Sequence, residues 1–105
     1  MAKPAQSKTI IIKHPVTGTE RKINTDIYEP VKAAILQSLK GSKGKTFTEL
    51  TDDVVKIIRK KMPGFKGAIP WYTISIRLDL ETRGIVEDFT EKGKKLNRLK
   101  PDRLN

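Results

Sequence analysis

Two glycine-containing stretches have the residue types of phosphate-binding loops, but neither has the right context. Residues 44–46 read Gly-Lys-Thr, the end of a Walker A loop, in which backbone amides cradle phosphate before a helix. That motif needs a glycine at the position of Leu39, so a flexible linker is the better interpretation. Residues 64–67 match the GXXG loop of KH RNA-binding domains. Prolines on both sides and a different strand order argue against a KH fold.

Side chains that could act as acids, bases, nucleophiles or metal ligands are few and poorly spaced. His14 is the only histidine, and one imidazole without a second ligand or a nucleophile makes neither a metal site nor a catalytic triad. The adjacent carboxylates at 52–53 and at 87–88 point apart on a helix or a strand, so neither pair shares a site. The chain has no cysteine. We therefore expect no catalytic residue, no metal site and no cofactor, and we do not expect an enzyme.

Basic side chains are the groups best suited to binding, because they attract the phosphate backbone of nucleic acids. The net charge is +10, and the excess lies at the two ends of the chain. The residues predicted to contact DNA are Lys92, Lys94, Lys95, Arg98 and Lys100 near the C-terminus, with Lys66, Ser75 and Arg77 before or within the central helix. A second basic cluster lies at 59–61. The alternative is that the charge only keeps a small protein soluble.

Length and composition favour a single soluble domain. The chain has 105 residues, of which 36% are hydrophobic, enough for a modest core. Its longest apolar run near the N-terminus, three isoleucines at 10–12, is too short for a signal peptide or a membrane span. We therefore expect a cytoplasmic protein with no membrane contact. Residues 1–8 are predicted to be a disordered basic tail, 9–100 the domain, and 101–105 a C-terminal tail.

The basic residues near the C-terminus follow a helix that the sequence predicts from Pro70 to Arg83. Proline fits the first turn of a helix, and Gly84 fits the position after its end, where a left-handed conformation costs glycine nothing. The segment 85–89 then reads as a strand, followed by a turn at 90–95 and a returning strand. This order is typical of the recognition helix and wing of a winged helix-turn-helix.

A hairpin and two further helices are predicted before the central helix. Strands at 9–13 and 20–23 pair around a turn with Pro and Gly. The first helix, 27–39, has three candidate N-caps, Asn24, Thr25 and Asp26, and Asp26 with Glu29 has the spacing of a capping box. Its inward residues are Tyr28, Val31, Ile35 and Leu39.

The second helix is predicted to follow a short strand around Phe47 and to start at an N-cap, Thr48. Its inward residues are Leu50, Val54, Ile57, Ile58 and Met62. The predicted fold is mainly α with small β (α+β). It is a winged helix-turn-helix of three helices with a C-terminal β-hairpin wing and an N-terminal β-hairpin.

The central helix has two apolar faces when side chains are placed at about 100° per residue. The face expected to pack on the first two helices consists of Tyr72, Ile76 and Leu80. The opposite face, which is polar in a helix that reads DNA, consists of Trp71, Ile74 and Leu78. A large exposed apolar face marks an interface or needs further cover from the same chain. We therefore expect this face either to bind a partner or to lie under the N-terminal hairpin.

Several segments together resemble a small uncharacterised bacterial winged-helix family. The most specific is Trp71 followed by Leu-Asp-Leu-Glu-Thr-Arg-Gly at 78–84, and softer similarity extends over roughly residues 10–100. The resemblance implies a winged-helix fold and assigns no activity. More distantly, residues 80–86 are similar to the end of the recognition helix in many bacterial transcription regulators.

Two functional hypotheses remain open. In the first, the protein is a DNA-binding module, and a candidate transcription regulator, that contacts the phosphates of double-stranded DNA through its wing and basic ends. In the second, Trp71, Ile74 and Leu78 form an interface with a protein partner or a second copy, without sequence-specific DNA readout. Bacterial regulators usually carry polar groups at these three positions.

Overall fold

Three helices lie between two β-hairpins in the computed structural model, which describes residues 8–14 and 16–100. The elements are β1 (Thr9–Lys13), β2 (Glu20–Asn24), α1 (Thr25–Leu39), α2 (Phe47–Lys61), α3 (Ile69–Thr82), β3 (Val86–Glu91) and β4 (Lys94–Leu99). Each hairpin is a separate two-stranded antiparallel sheet, so the protein is α+β. Apart from Lys8, the predicted tails at 1–8 and 101–105 lie outside the described residues.

The N-terminal hairpin (β1 and β2) pairs as the sequence predicted. Its two faces differ because side chains alternate along a strand. Ile12 and Ile23 point into the core and are each 4% exposed. In the connecting loop, the ring Nδ1 of His14 accepts hydrogen bonds from the N–H groups of Val16 and Thr17, at 3.1 and 3.2 Å. The histidine therefore shapes the hairpin loop.

Helix α1 begins two residues earlier than predicted. Its N-cap is Asn24, whose side chain accepts a hydrogen bond from the N–H of Asp26 at 2.7 Å. Of the three candidate caps at 24–26, the helix uses Asn24, because β2 leads directly into the helix and leaves Asn24 in the extended conformation of a cap. The capping-box spacing of Asp26 and Glu29 is not used. The predicted inward residues Tyr28, Val31, Ile35 and Leu39 are all buried.

Helix α2 also begins earlier than predicted, at Phe47. Thr46 is the N-cap and forms a capping box with Glu49, so the predicted cap, Thr48, lies inside the first turn. Immediately before the cap, Lys45 and Asn97 of β4 exchange two backbone hydrogen bonds, at 2.9 and 2.7 Å. The short strand expected around Phe47 is therefore this single bridge two residues earlier.

Helix α3 has both of its predicted end signals. Pro70 lies in the first turn, and Gly84 follows the helix with a φ of 78°. The N–H groups of Gly84 and Ile85 donate to the carbonyls of Glu81 and Leu80, at 3.0 and 2.9 Å. This pair of hydrogen bonds is a Schellman motif, which satisfies carbonyls left unpaired at the helix end.

The core lies between the three helices. The predicted inner face of α3 is fully buried at Ile76 and Leu80, whereas Tyr72 is half-buried beside Phe65, with ring centres 5.8 Å apart. The inward residues of α2 are fully buried at Leu50, Val54 and Ile58, and half-buried at Ile57 and Met62. Within the described residues, no helix is long and apolar enough to cross a membrane.

The C-terminal hairpin (β3 and β4) has longer strands and a tighter turn than predicted. The expected turn covered 90–95, but pairing continues to Glu91 and resumes at Lys94. Lys92 and Gly93 alone form the turn, with φ values of 53° and 80°. Two central residues with positive φ match the twist of paired strands, which closes the hairpin tightly. The charged residues at 90–95 were predicted to form the turn. Charge did not locate the strand ends, because side chains at a hairpin tip are exposed both in the turn and in the last residues of the strands.

Candidate functional site

The tip of the C-terminal hairpin carries a cluster of exposed lysines. Lys92, Lys94 and Lys95 flank or form the two-residue turn, and all three are exposed. The Nζ of Lys95 lies 3.5 Å from a carboxylate oxygen of Asp88, but its side chain remains 74% exposed. In the described part of the chain, no carboxylate forms an ion pair with Lys92 or Lys94. Lys100, directly after β4, is also exposed.

Arg98 belongs to the same hairpin but is held by it. Its guanidinium lies 4.2 Å from the ring centre of Phe89, and its Nε donates to a carboxylate oxygen of Glu87 at 2.6 Å. The paired charge attracts an external phosphate less than a free lysine does. Arg98 therefore stabilises the hairpin more than it extends the basic surface.

Arg77, which the sequence predicted to contact DNA, is buried and attaches the C-terminal hairpin to α3. It is 5% exposed. Its guanidinium donates to Asn97 at 2.7 Å, to Glu81 at 2.5 Å and to Asp88 at 3.0 Å. Asn97 in turn donates to the carbonyl of Lys45 at 3.1 Å. We call these contacts the Arg77 network. Arg77 cannot reach a DNA duplex without breaking it, so its role here is structural.

The other two predicted contacts near α3 lie on different surfaces. Ser75 is half-buried and faces the N-terminal hairpin. Lys66 is exposed in the loop between α2 and α3. In that loop a Cβ added to Gly67 would lie 2.5 Å from the ring of Phe65 and 2.9 Å from that of Tyr72. The second glycine of the KH-like sequence is therefore explained by aromatic packing.

Trp71, Ile74 and Leu78 form what we call the apolar ridge of α3. Trp71 and Ile74 are 43% and 41% exposed, and Leu78 is half-buried. The N-terminal hairpin reaches the ridge at Leu78 and places the guanidinium of Arg21 5.8 Å from the ring centre of Trp71. Cover by this hairpin is therefore partial, and in the described residues the first half of the ridge is open.

The ridge stands between two grooves. One groove, of about 300 Å³, separates it from the C-terminal hairpin and is lined by Phe47 and Lys95. The other, of about 210 Å³, separates it from the N-terminal hairpin and is lined by Arg21 and Ser75. The ridge is therefore an apolar strip with one cation on each side, Lys95 in the first groove and Arg21 in the second.

Asp79 is the residue that the sequence analysis missed. It is 1% exposed, and its carboxylate accepts hydrogen bonds from the N–H of Lys13 at 3.0 Å, the hydroxyl of Tyr28 at 2.9 Å and the Nε of Arg83 at 2.6 Å. Arg83 also donates to the carbonyl of Ile11 at 3.1 Å. We call these contacts the Asp79 network, and it attaches the N-terminal hairpin to α1 and α3. The available signal was an aspartate four residues before an arginine on a helix.

The Asp79 network also shifts the pKa values of its members. Burial, followed by the hydrogen bond to Asp79, raises the pKa of Tyr28 to about 12. The hydrogen bond to Asp79 raises the pKa of Arg83 above its ordinary value. The phenol therefore stays neutral and the guanidinium charged over the whole ordinary pH range.

The most specific sequence motif serves these two networks. Asp79 and Arg83 belong to the Asp79 network, Glu81 belongs to the Arg77 network, and Gly84 ends the helix. The motif that supports the family resemblance therefore positions the two hairpins on α3.

Lys45, in the Walker-like stretch, is paired inside the protein. Its Nζ donates to Asp53 at 2.5 Å and to Ser38 at 3.2 Å, and the hydroxyl of Ser38 donates to Asp53 at 2.6 Å. The bond from Lys45, and then that from Ser38, holds the pKa of Asp53 below its ordinary value. With the bridge to Asn97 and the cap at Thr46, these contacts make 44–46 an ordered segment and not the flexible linker that the sequence predicted. Over the described ranges, no group of three His, Cys, Asp or Glu side chains is placed to hold a metal ion.

Comparison with known proteins identifies the family but not the function. Residues 9–96 match the model of DUF6958, a family of unknown function. The match covers well over half of the chain, so the protein belongs to this family. A search of curated proteins and a search of solved structures find no significant match.

Proposed function

We propose that the protein is a winged-helix DNA-binding protein that contacts the phosphates of double-stranded DNA through the C-terminal hairpin, its wing. The order of three helices followed by a hairpin supports this arrangement. The bridge between Lys45 and Asn97 supports it further, since it pairs a single residue before α2 with the edge of the wing. A strand in that position is expected in a winged helix.

The observation that carries the proposal is the exposed cluster of Lys92, Lys94 and Lys95 on a tight turn. Lysines on such a wing can lie along a phosphate backbone or at the edge of the minor groove. The Arg77 network holds the base of the wing on α3, so little motion is lost when DNA binds. Lys66 and Lys100 are secondary candidates. Because the exposed part of α3 offers few polar groups, we expect binding to depend weakly on DNA sequence.

The test compares wild-type protein with the double variant Lys94→Glu/Lys95→Glu in binding to a random-sequence duplex, followed by fluorescence anisotropy over a range of salt concentrations. For the wild type, the logarithm of the affinity should fall linearly with the logarithm of salt, by about 0.9 per phosphate contacted. The variant should bind at least about tenfold more weakly, with a slope shallower by roughly 2.

A matched control is Lys60→Glu/Lys61→Glu, which also lowers the net charge from +10 to +6. These lysines end α2, whereas the bridge to the wing precedes its start, about 20 Å away along the helix. If the control loses as much affinity as the wing variant, total charge and not the wing is responsible. Binding that is weak and insensitive to salt and to both variants would reject DNA as the ligand.

A further inference from the structure

We infer that the apolar ridge of α3 is a docking surface for an acidic amphipathic helix of another protein. The first observation is exposure: a tryptophan and an isoleucine one helical turn apart, Trp71 and Ile74, are both more than 40% exposed. Adjacent large apolar side chains on the surface of a small soluble domain mark an interaction site. The groove beside them, lined by Phe47 and Leu78, gives an apolar side chain of a partner a place to insert.

Charge identifies the chemistry of the partner. Arg21 lies on one side of the ridge, over Trp71, and Lys95 lies on the other, in the groove with Ile74. The carboxylate in that groove, Asp88, is already bound by Arg77 and Lys95. A helix with a hydrophobic stripe flanked by Glu or Asp complements an apolar strip with cations on both sides.

The same charges disfavour the other occupants. A second copy would bring identical cationic edges and a further net charge of +10 against this surface. A DNA major groove presents mainly hydrogen-bonding groups, which this ridge cannot satisfy. The docking surface shares Lys95 with the proposed DNA contact, but Trp71, Ile74 and Arg21 belong to the docking surface alone.

The test starts from a displayed library of random peptides about 15 residues long, a length that forms a helix as long as α3. Selection on the wild-type protein should enrich peptides with apolar residues at helical spacing and acidic residues beside them. Trp71 is the only tryptophan, so its emission should shift to shorter wavelength when an enriched peptide, itself free of tryptophan, is added.

Two variants and one control then locate the binding. Ile74→Ser should weaken the enriched peptides by about tenfold, and Arg21→Glu several-fold, with unchanged thermal unfolding. Ile11→Ser is the matched control, since Ile11 is 49% exposed on the opposite face of β1 from Ile12, which lines the groove. It should leave peptide binding unchanged.

Five results would overturn the inference, and four of them come from peptide binding and sedimentation. They are a library that enriches no peptide, enriched peptides without acidic residues, binding that survives Ile74→Ser, and a wild-type dimer that Ile74→Asp dissociates during sedimentation. The last would assign the ridge to a second copy. A loss of duplex affinity in Ile74→Ser equal to that in Lys94→Glu/Lys95→Glu would assign it to DNA. Peptide binding and DNA binding are measured separately, so either proposal can fail alone.

Discussion

The two hairpins are attached to the same helix by buried charges of opposite sign, only two residues apart. Asp79 holds the N-terminal hairpin, and Arg77 holds the C-terminal one. Both residues are at most 5% exposed, but their surroundings differ. Asp79 is bound by a buried phenol, a backbone amide and an arginine. Arg77 is bound by two carboxylates whose side chains are 33% and 29% exposed.

This difference separates a structural hairpin from a candidate binding arm. The N-terminal hairpin contributes two isoleucines to the core and joins α3 at the carboxylate of Asp79, which is 1% exposed. The C-terminal hairpin is held at its base, where Asn97 is buried, and carries lysines at its exposed tip. The first attachment should therefore be more costly to break than the second.

The largest effect is expected for Asp79→Ala. The substitution leaves the hydroxyl of Tyr28 and the N–H of Lys13 without an acceptor and removes the partner of Arg83. We expect the free energy of unfolding to fall by about 3–5 kcal/mol, measured by urea denaturation. The control Asp52→Ala removes an exposed carboxylate of α2 and should change the free energy of unfolding by less than about 0.5 kcal/mol. Equal losses in the two variants would contradict a structural role for the Asp79 network.

Arg77→Met is expected to lower the free energy of unfolding by about 2–3 kcal/mol. The loss is smaller than for Asp79→Ala because water can reach the carboxylates of Glu81 and Asp88 once the arginine is removed. The loss should be local. Hydrogen exchange should accelerate at amides of β3 and β4 while those of β1 and β2 keep their protection. Arg98→Met, which removes a half-exposed arginine from the same hairpin, should cost less than about 1 kcal/mol. Uniform acceleration over both hairpins would argue against separate attachments.

The smallest effect is expected for Tyr28→Phe, which should lower the free energy of unfolding by about 1.5 kcal/mol because it removes one hydrogen bond to Asp79. This bond has a pH signature. Tyr28 has a pKa of about 12 in the folded protein and 10.0 ordinarily, so above pH 10.0 the unfolded chain releases a proton that the folded protein keeps. The stabilisation is complete below that pH and is lost as the pH rises towards 12.

We therefore expect the difference in the free energy of unfolding between wild type and Tyr28→Phe to become smaller as the pH rises from 10.0 to about 12. Urea titrations at several pH values in this range measure it. Tyr72 is present in both proteins and cancels in the comparison. A difference that stays constant with pH would show that the phenol does not titrate within the Asp79 network.

Elements with a signal inside their own segment were predicted well. Pro70 and Gly84 bound α3 correctly, and the apolar spacing of α1 identified its buried stripe. Such signals are local, since they depend on backbone geometry and on which face of one helix is apolar. The N-cap of α1 was left open among three candidates and that of α2 was misplaced, because several residues with side-chain oxygens stand near each start.

The attachment of the hairpins could not be predicted in the same way. The sequence predicted Arg77 as a DNA contact and assigned no role to Asp79. Their burial follows from where two distant hairpins pack, which the spacing within one helix does not encode. The open half of the apolar ridge was likewise undecided, because it depends on how far the N-terminal hairpin reaches. The lysine tip was located correctly since it needs only its own short turn.

Both hairpins are attached to α3 through buried residues, Asp79 and Arg77, and this has an evolutionary consequence. Substitutions that preserve Asp79, Arg77 and their partners keep the architecture, whatever happens at Trp71 and Ile74. Selection for folding and selection for a ligand thus act on opposite sides of one helix. Among members of the family, the inner residues should persist while the outer ones diverge together with whatever each member binds.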